Sequence, residues 1–182
     1  MTDHAELFQA TVEVSKEFDG PNCVEAAALL VEIGERLGYD LQARPVSLFA
    51  VNKETGAVVV TGDYGKAFAT TYLERYGSVL PVGELEGGTP FQRHAGHMIV
   101  VSREHSLVLD PTFAQFDQLG DQAVALWADE TVLHSSGRFW VVGDDALYAR
   151  YSIADDYMEL DFAEVREAQA ELADRIVAAL GH

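Results

Sequence analysis

The chain has 182 residues, which suits one domain and is enough to bury roughly 70% of the unfolded surface without a disulfide or metal staple. Hydrophobic residues make up 48% of it, which excludes an intrinsically disordered chain. A formal net charge of −18 repels phosphate backbones and anionic bilayers, so neither nucleic acid nor membrane is an expected partner, whereas a cationic substrate would be attracted.

One cysteine allows no intrachain disulfide, in keeping with a reducing compartment. The N-terminus lacks the basic and apolar regions of a signal peptide, and no apolar run approaches the ~20 residues that span a bilayer. The expectation is a cytoplasmic protein.

In chain order, residues 4–17 carry Leu7, Ala10 and Val14 at helical spacing, continued by Phe18. Asp19-Gly20-Pro21 breaks that helix, and Asn22 is placed to cap a second one. The second helix is expected from Cys23 to Leu37, burying Ala26, Ala27, Leu30, Ile33 and Leu37, with Gly38 closing it. Residues 44–52 and 56–61 read as two strands joined by a turn near Lys53. A short helix is expected at 66–76, and residues 80–96, rich in Gly and Pro, read as a long loop of the kind that carries function. GDYGKAF (62–68) lacks the spacing and the Lys-Ser/Thr pair of a phosphate loop and reads as a turn. HMIVVS (97–102) and SLVLD (106–110) are apolar strands around a tight turn; further strands are expected at 123–128 and 138–152. The tail from Asp161 to Leu180 has the pattern of one amphipathic helix, with Asp161 as its cap. Helices first, strands in the middle and a helix last predict an α+β fold with a mostly antiparallel sheet.

Cys23 stands at the predicted start of a helix. The partial positive charge and unpaired N–H groups there favour thiolate over thiol, and the same N–H groups can donate to an oxyanion. A thiol nucleophile needs a base, and the base needs an orienting group. His97 opens an apolar strand and Asp110 closes the next, so a hairpin would set the two side by side near one end of a sheet. Gln115 could donate to the oxyanion or hold its loop, and Asn22 could serve the oxyanion or simply cap the helix. The structural alternatives are a small buried cysteine, a strand-end histidine and an aspartate capping the turn at Pro111-Thr112.

N-C-V-E-A-A-A-L-L (22–30), G-H-M-I-V-V (96–101) and V-L-D-P-T-F-A-Q-F (108–116) resemble the catalytic core of papain-like and transglutaminase-like cysteine enzymes. In those families Cys opens a helix, His opens a strand, and Asp or Asn lies on the next strand. The D-P-T after a strand is especially similar to bacterial transglutaminase-like domains. The resemblance covers about residues 20–117. It implies N-terminal helices packed on the sheet, a single domain over 1–182, and a Cys23–His97–Asp110 triad that needs no cofactor and acts on a protein, a peptide or a small amide. Arylamine N-acetyltransferases share the triad order, but Gly20-Pro21-Asn22 stands here in place of their Arg-Gly-Gly, and Val24 and Met98 stand where an aromatic often follows the cysteine or histidine.

Two rival readings remain. His94, His97, His105 and Asp110 could ligate a metal, although H-x-x-H in RHAGH matches neither a His-Glu-x-x-His nor a Cys/His zinc pattern, so no metal is expected. A non-catalytic interaction module could instead use the acidic surface with Phe139, Trp140, Tyr148, Tyr151 and Tyr157, residues whose strand spacing otherwise marks a core.

Overall fold

A computed structural model describes residues 4–18, 20, 22–55, 57–62, 67, 96–102, 104, 106–116, 119, 124–127, 139–143, 145–154 and 162–182. Apart from Gly62, Ala67 and Gly96, the expected helix at 66–76, the GDYGKAF turn and the loop at 80–96 lie outside these residues, as do His94, His105, Tyr157 and the Asp161 cap.

Two helices open the chain. Helix α1 (Ala5–Glu17) turns Leu7, Ala10, Thr11 and Val14 inward, and the Thr11 hydroxyl donates to the Leu7 carbonyl at 2.7 Å, which satisfies the polar group on that face. Helix α2 (Cys23–Arg36) is buried almost all round. Its fully buried Leu29, Leu30 and Ile33 each contribute about 1.5–3 kcal/mol of apolar burial. The helix stops as expected at Gly38, whose φ of 82° only glycine adopts without strain. There the Gly38 N–H donates to Glu35 O at 3.1 Å and the Tyr39 N–H to Gly34 O at 2.8 Å, which closes the helix end with a paired set of carbonyls. The start of α2 corrects one expectation. Asn22 occupies the cap position but its side chain makes no capping hydrogen bond. Its φ of −110° and ψ of 41° are not the extended values that aim a side chain at the first turn, and only its carbonyl joins the helix, accepting from the Ala26 N–H at 2.9 Å.

Seven strands follow: β1 (Gln42–Asn52), β2 (Val58–Thr61), β3 (His97–Ser102), β4 (Leu107–Asp110), β5 (Val124–Trp127), β6 (Phe139–Gly143) and β7 (Leu147–Ile153). Their order is β5-β4-β3-β1-β7-β6, every pairing is antiparallel, and β2 pairs with β1 off this path. The long β1 makes this possible. Its first half, Gln42–Val46, pairs with β3, and Leu48–Val51 pairs with β2 on the same edge. The end strands β5 and β6 approach each other, so the sheet curls into a half-barrel. The fold is α+β with an antiparallel sheet, as the order of elements predicts.

Alternation along the central strands divides the core into two layers. Met98, Val100, Leu107 and Leu109 face α1 and α2. Ile99, Val101 and Val108 face the inside of the curl, with Val46, Leu48, Phe113, Trp140 and Tyr151. His97 and Asp110 have the parity of this second set and belong to the inner face. Trp140 and Tyr151 are core residues, so neither forms an exposed partner surface, and the partly buried Tyr148 packs edge-on against Phe49 at 6.2 Å.

The C-terminal segment differs from the single helix expected. It forms α3 (Phe162–Ala168) and α4 (Ala170–Ala179), broken at Gln169, where the N–H of Gln169 donates to Arg166 O in a tighter three-residue turn. The break lets both helices lie on α2. Arg166 bonds Glu32 at 2.6 Å and Glu35 at 2.5 Å, while Arg36 bonds Glu32 at 2.6 Å and Asp174 at 2.5 Å. Burial works against the Glu32 carboxylate, but the hydrogen bonds from Arg36 and Arg166 hold it below its usual range. Among the described residues no helix is long and apolar enough to cross a membrane.

Candidate functional site

The site forms where the first residue of α2 meets the first residue of β3. Gly96 leads into β3, and a Cβ on it would stand 2.8 Å from the carbonyl oxygen of Val46, so only glycine lets the chain enter the strand this close to β1. The next residue is His97, 1% exposed. Val100 pairs with Leu109, which brings the start of β3 and the end of β4 to the same end of the hairpin. There His97 Nε2 lies 2.8 Å from Asp110 Oδ2, and Asp110 is fully buried.

Asp110 accepts from three groups. Besides His97, the Tyr151 hydroxyl donates to Oδ2 at 2.9 Å and the Thr112 N–H donates to Oδ1 at 3.2 Å. An ionised carboxylate is an acceptor only, so this donor set suits the charged form. Pro111 places Thr112 by turning the chain directly after the strand, and a short 3-10 helix (Phe113–Gln115) follows.

Gln115 sits on the other ring nitrogen. Its amide nitrogen is 3.3 Å from His97 Nδ1 and 3.3 Å from Thr112 Oγ1. Rotating the amide by half a turn offers its oxygen to the same two groups, so Gln115 can serve a neutral or a doubly protonated ring. Cys23 acts on the ring as well: it is half-buried, it is the first residue of α2, and its side chain adds to the rise in the proton affinity of His97. Phe116 meets the imidazole edge-on at 5.3 Å, and Tyr151 stacks over it at 6.4 Å with 25° between the planes.

Burial alone would drive the proton off His97, but the charge and hydrogen bond of Asp110, followed by those of Cys23, outweigh it and raise the imidazole to about 10. A histidine whose proton is held more tightly in the folded than in the unfolded state stabilises the fold below the unfolded value of about 6.5. That contribution is lost as pH rises through the folded value near 10. Urea midpoints measured from pH 6 to pH 10.5 are therefore expected to fall across pH 7–10, and His97→Gln should flatten that part of the curve. Equal slopes in the two proteins would refute the assignment to His97.

Of the residues singled out in the sequence, His97, Asp110 and Gln115 are bonded together, Cys23 acts on the His97 ring, and Asn22 stands next to Cys23 without capping the helix through its side chain. Sequence reasoning missed Tyr151, Thr112 and Phe116 as neighbours of the histidine. Tyr151 carried a weak signal: a tyrosine on the inward-facing positions of a strand must bury a hydroxyl, and a buried hydroxyl needs a partner. Among the described residues no group of three or more His, Cys, Asp or Glu is arranged to hold a metal ion.

Helices on one face of a curled antiparallel sheet, with a buried His97–Asp110 pair near the start of α2, define the architecture of this site. Comparison with protein-family models, with curated proteins and with solved structures found no match.

Proposed function

We propose that the chain is a thiol enzyme of the papain-like or transglutaminase-like type, which transfers acyl groups or hydrolyses amides through a Cys23–His97–Asp110 triad. The observation that carries this reading is His97 bonded to buried Asp110 at 2.8 Å, with Cys23 and Asp110 together raising the imidazole to about 10. Thiol enzymes of this type attack through a sulfur assisted by an imidazole that an acid holds in place.

In this mechanism the Cys23 sulfur attacks a carbonyl carbon and the C–S bond forms as the carbonyl becomes an oxyanion. The N–H groups of the first turn of α2 lack acceptors within the helix and can donate to that oxyanion. The Asn22 amide would add a donor from beside the nucleophile. His97 gives its Nδ1 proton to the departing amine, leaving a thioester on Cys23. Water or an amine then attacks the thioester, and His97 takes up the proton this releases. Asp110 holds the ring and supports its charge throughout. Gln115, bonded to Nδ1 and to Thr112, steadies the ring from the side opposite Asp110. The scheme needs no cofactor. The net charge of −18 favours a protein, peptide or small amide that carries positive charge.

Intact-mass spectrometry after incubation with an activated acyl ester tests the reading. Wild-type protein is expected to gain one acyl group, on Cys23, which a primary amine discharges; Cys23→Ala is expected to gain none there. An adduct that forms equally well on His97→Gln protein and resists the amine would overturn it. The alternative, an acidic non-catalytic interaction module, predicts that outcome.

A further inference from the structure

We propose that Tyr151 is a positioning residue of this site: its hydroxyl fixes the rotation of the Asp110 carboxylate and so determines how firmly His97 is oriented. The inference rests on the triad reading and adds a fourth residue, from a strand two places beyond β3 in the sheet.

The topology makes the contact unusual. Tyr151 lies on β7, opposite Leu48 of β1, and β7 is separated from β4 by β1 and β3. In a flat sheet those three steps of about 4.8 Å each would keep the two side chains apart, standing perpendicular to the surface. The curl of the sheet turns both inward, and the hydroxyl arrives 2.9 Å from Oδ2. Closing the half-barrel and aligning the acid are thus the same event.

The hydroxyl bonds the particular oxygen that faces His97 Nε2, while Oδ1 is held by the Thr112 N–H. With each oxygen anchored, the carboxylate cannot rotate about χ2 without losing a bond, so its plane is set by the backbone at one oxygen and by Tyr151 at the other. The Tyr151 ring is itself immobile, being fully buried and stacked on the imidazole it serves. Burial, then the charge and hydrogen bond of Asp110, push the hydroxyl well above the usual phenol range, so it remains a donor while His97 titrates. A buried tyrosine with only a packing role would be satisfied by any acceptor, including a backbone carbonyl; this one is tied to the oxygen that orients the base.

Tyr151→Phe removes the hydroxyl and keeps the ring. The test compares wild type, Tyr151→Phe, Asp110→Asn and the double variant by the rate of Cys23 alkylation with iodoacetamide at pH 6, and follows His97 by NMR as a function of pH. Near-ultraviolet circular dichroism confirms that each protein keeps its packing. Tyr151→Phe is expected to slow alkylation about fivefold to tenfold, and to have almost no further effect once Asp110 is Asn, because the two act in series. The His97 midpoint in Tyr151→Phe is expected to move down by roughly half a unit or more, because a carboxylate free to turn spends part of its time away from the ring. Slowing that adds fully to that of Asp110→Asn, no slowing at all, or an upward or absent shift of His97 would each overturn the proposal. If His97→Gln alkylates as fast as wild type, the triad reading fails by itself; the NMR midpoint then decides whether Tyr151 acts on the Asp110–His97 pair.

Discussion

Replacing His97 is expected to slow alkylation of Cys23 by iodoacetamide at pH 6 by about 10–100-fold. An ordinary thiol, with a pKa near 8.5, is only about 0.3% thiolate at that pH, so a cysteine reacting without help would be slow. Here the imidazole is protonated well above pH 6, and in the proposed triad it is the group that assists attack by sulfur. His97→Gln is the informative variant, since it keeps a polar group beside Asp110, whereas His97→Ala leaves the buried carboxylate with a void on one side. Rates measured on unfolded protein set the baseline for a cysteine with no neighbours. If folded wild type reacts no faster than this baseline, or if His97→Gln matches wild type, Cys23 is an ordinary half-buried cysteine and the enzyme proposal falls.

The second large effect is on stability. Asp110→Ala is expected to cost about 3–5 kcal/mol, read as a lower urea midpoint at unchanged slope. Three donors lose their acceptor at once, namely the His97 ring, the Tyr151 hydroxyl and the Thr112 N–H, and all lie in the interior. Each buried donor left alone costs about 1–3 kcal/mol, and a buried ion pair broken on one side costs more than either partner contributes. Asp110→Asn is expected to cost less, because one carboxamide oxygen can still accept from Tyr151 or Thr112 while the NH2 confronts a donor. A loss below about 1 kcal/mol for Asp110→Ala would mean that water or another acceptor replaces the carboxylate, and that the pair is not the tight buried unit described here.

The side chains proposed for the chemistry therefore also carry stability. A catalytic pair placed at the surface would be cheap to mutate and easily disordered. The His97–Asp110 pair is shielded by Phe116 and Tyr151, while Cys23 and Gln115 are half-buried. The C-terminal helices act on the same element: through Arg166 and Arg36 they hold α2, whose first residue is the cysteine. Those ion pairs are partly solvated, and each contributes less than about 1 kcal/mol.

Local signals sufficed wherever the physics is local. Apolar spacing placed α1 and α2, since a 3.6-residue period shows which face is buried. Gly38 marked the end of α2, since few other residues take a positive φ there. The hairpin joining His97 to Asp110 was legible because two short apolar strands around a tight turn have one natural pairing. Cys23 at a helix start followed from the turn before it. Tertiary structure decided what depends on distant chain segments. Only the curl of the sheet brings Tyr151 to Asp110 across β1 and β3, and no spacing rule encodes a contact set by sheet curvature. The break at Gln169 comes with the packing of two helices on α2, although their own sequence reads as one continuous helix. Asn22 has a capping side chain by type, but its backbone angles depart from the extended values of a cap and leave the helix start without it. Sequence fixes which faces are apolar and where the chain turns; the closing of the sheet fixes which polar groups meet inside it, because a buried donor must find its acceptor wherever the packing puts one.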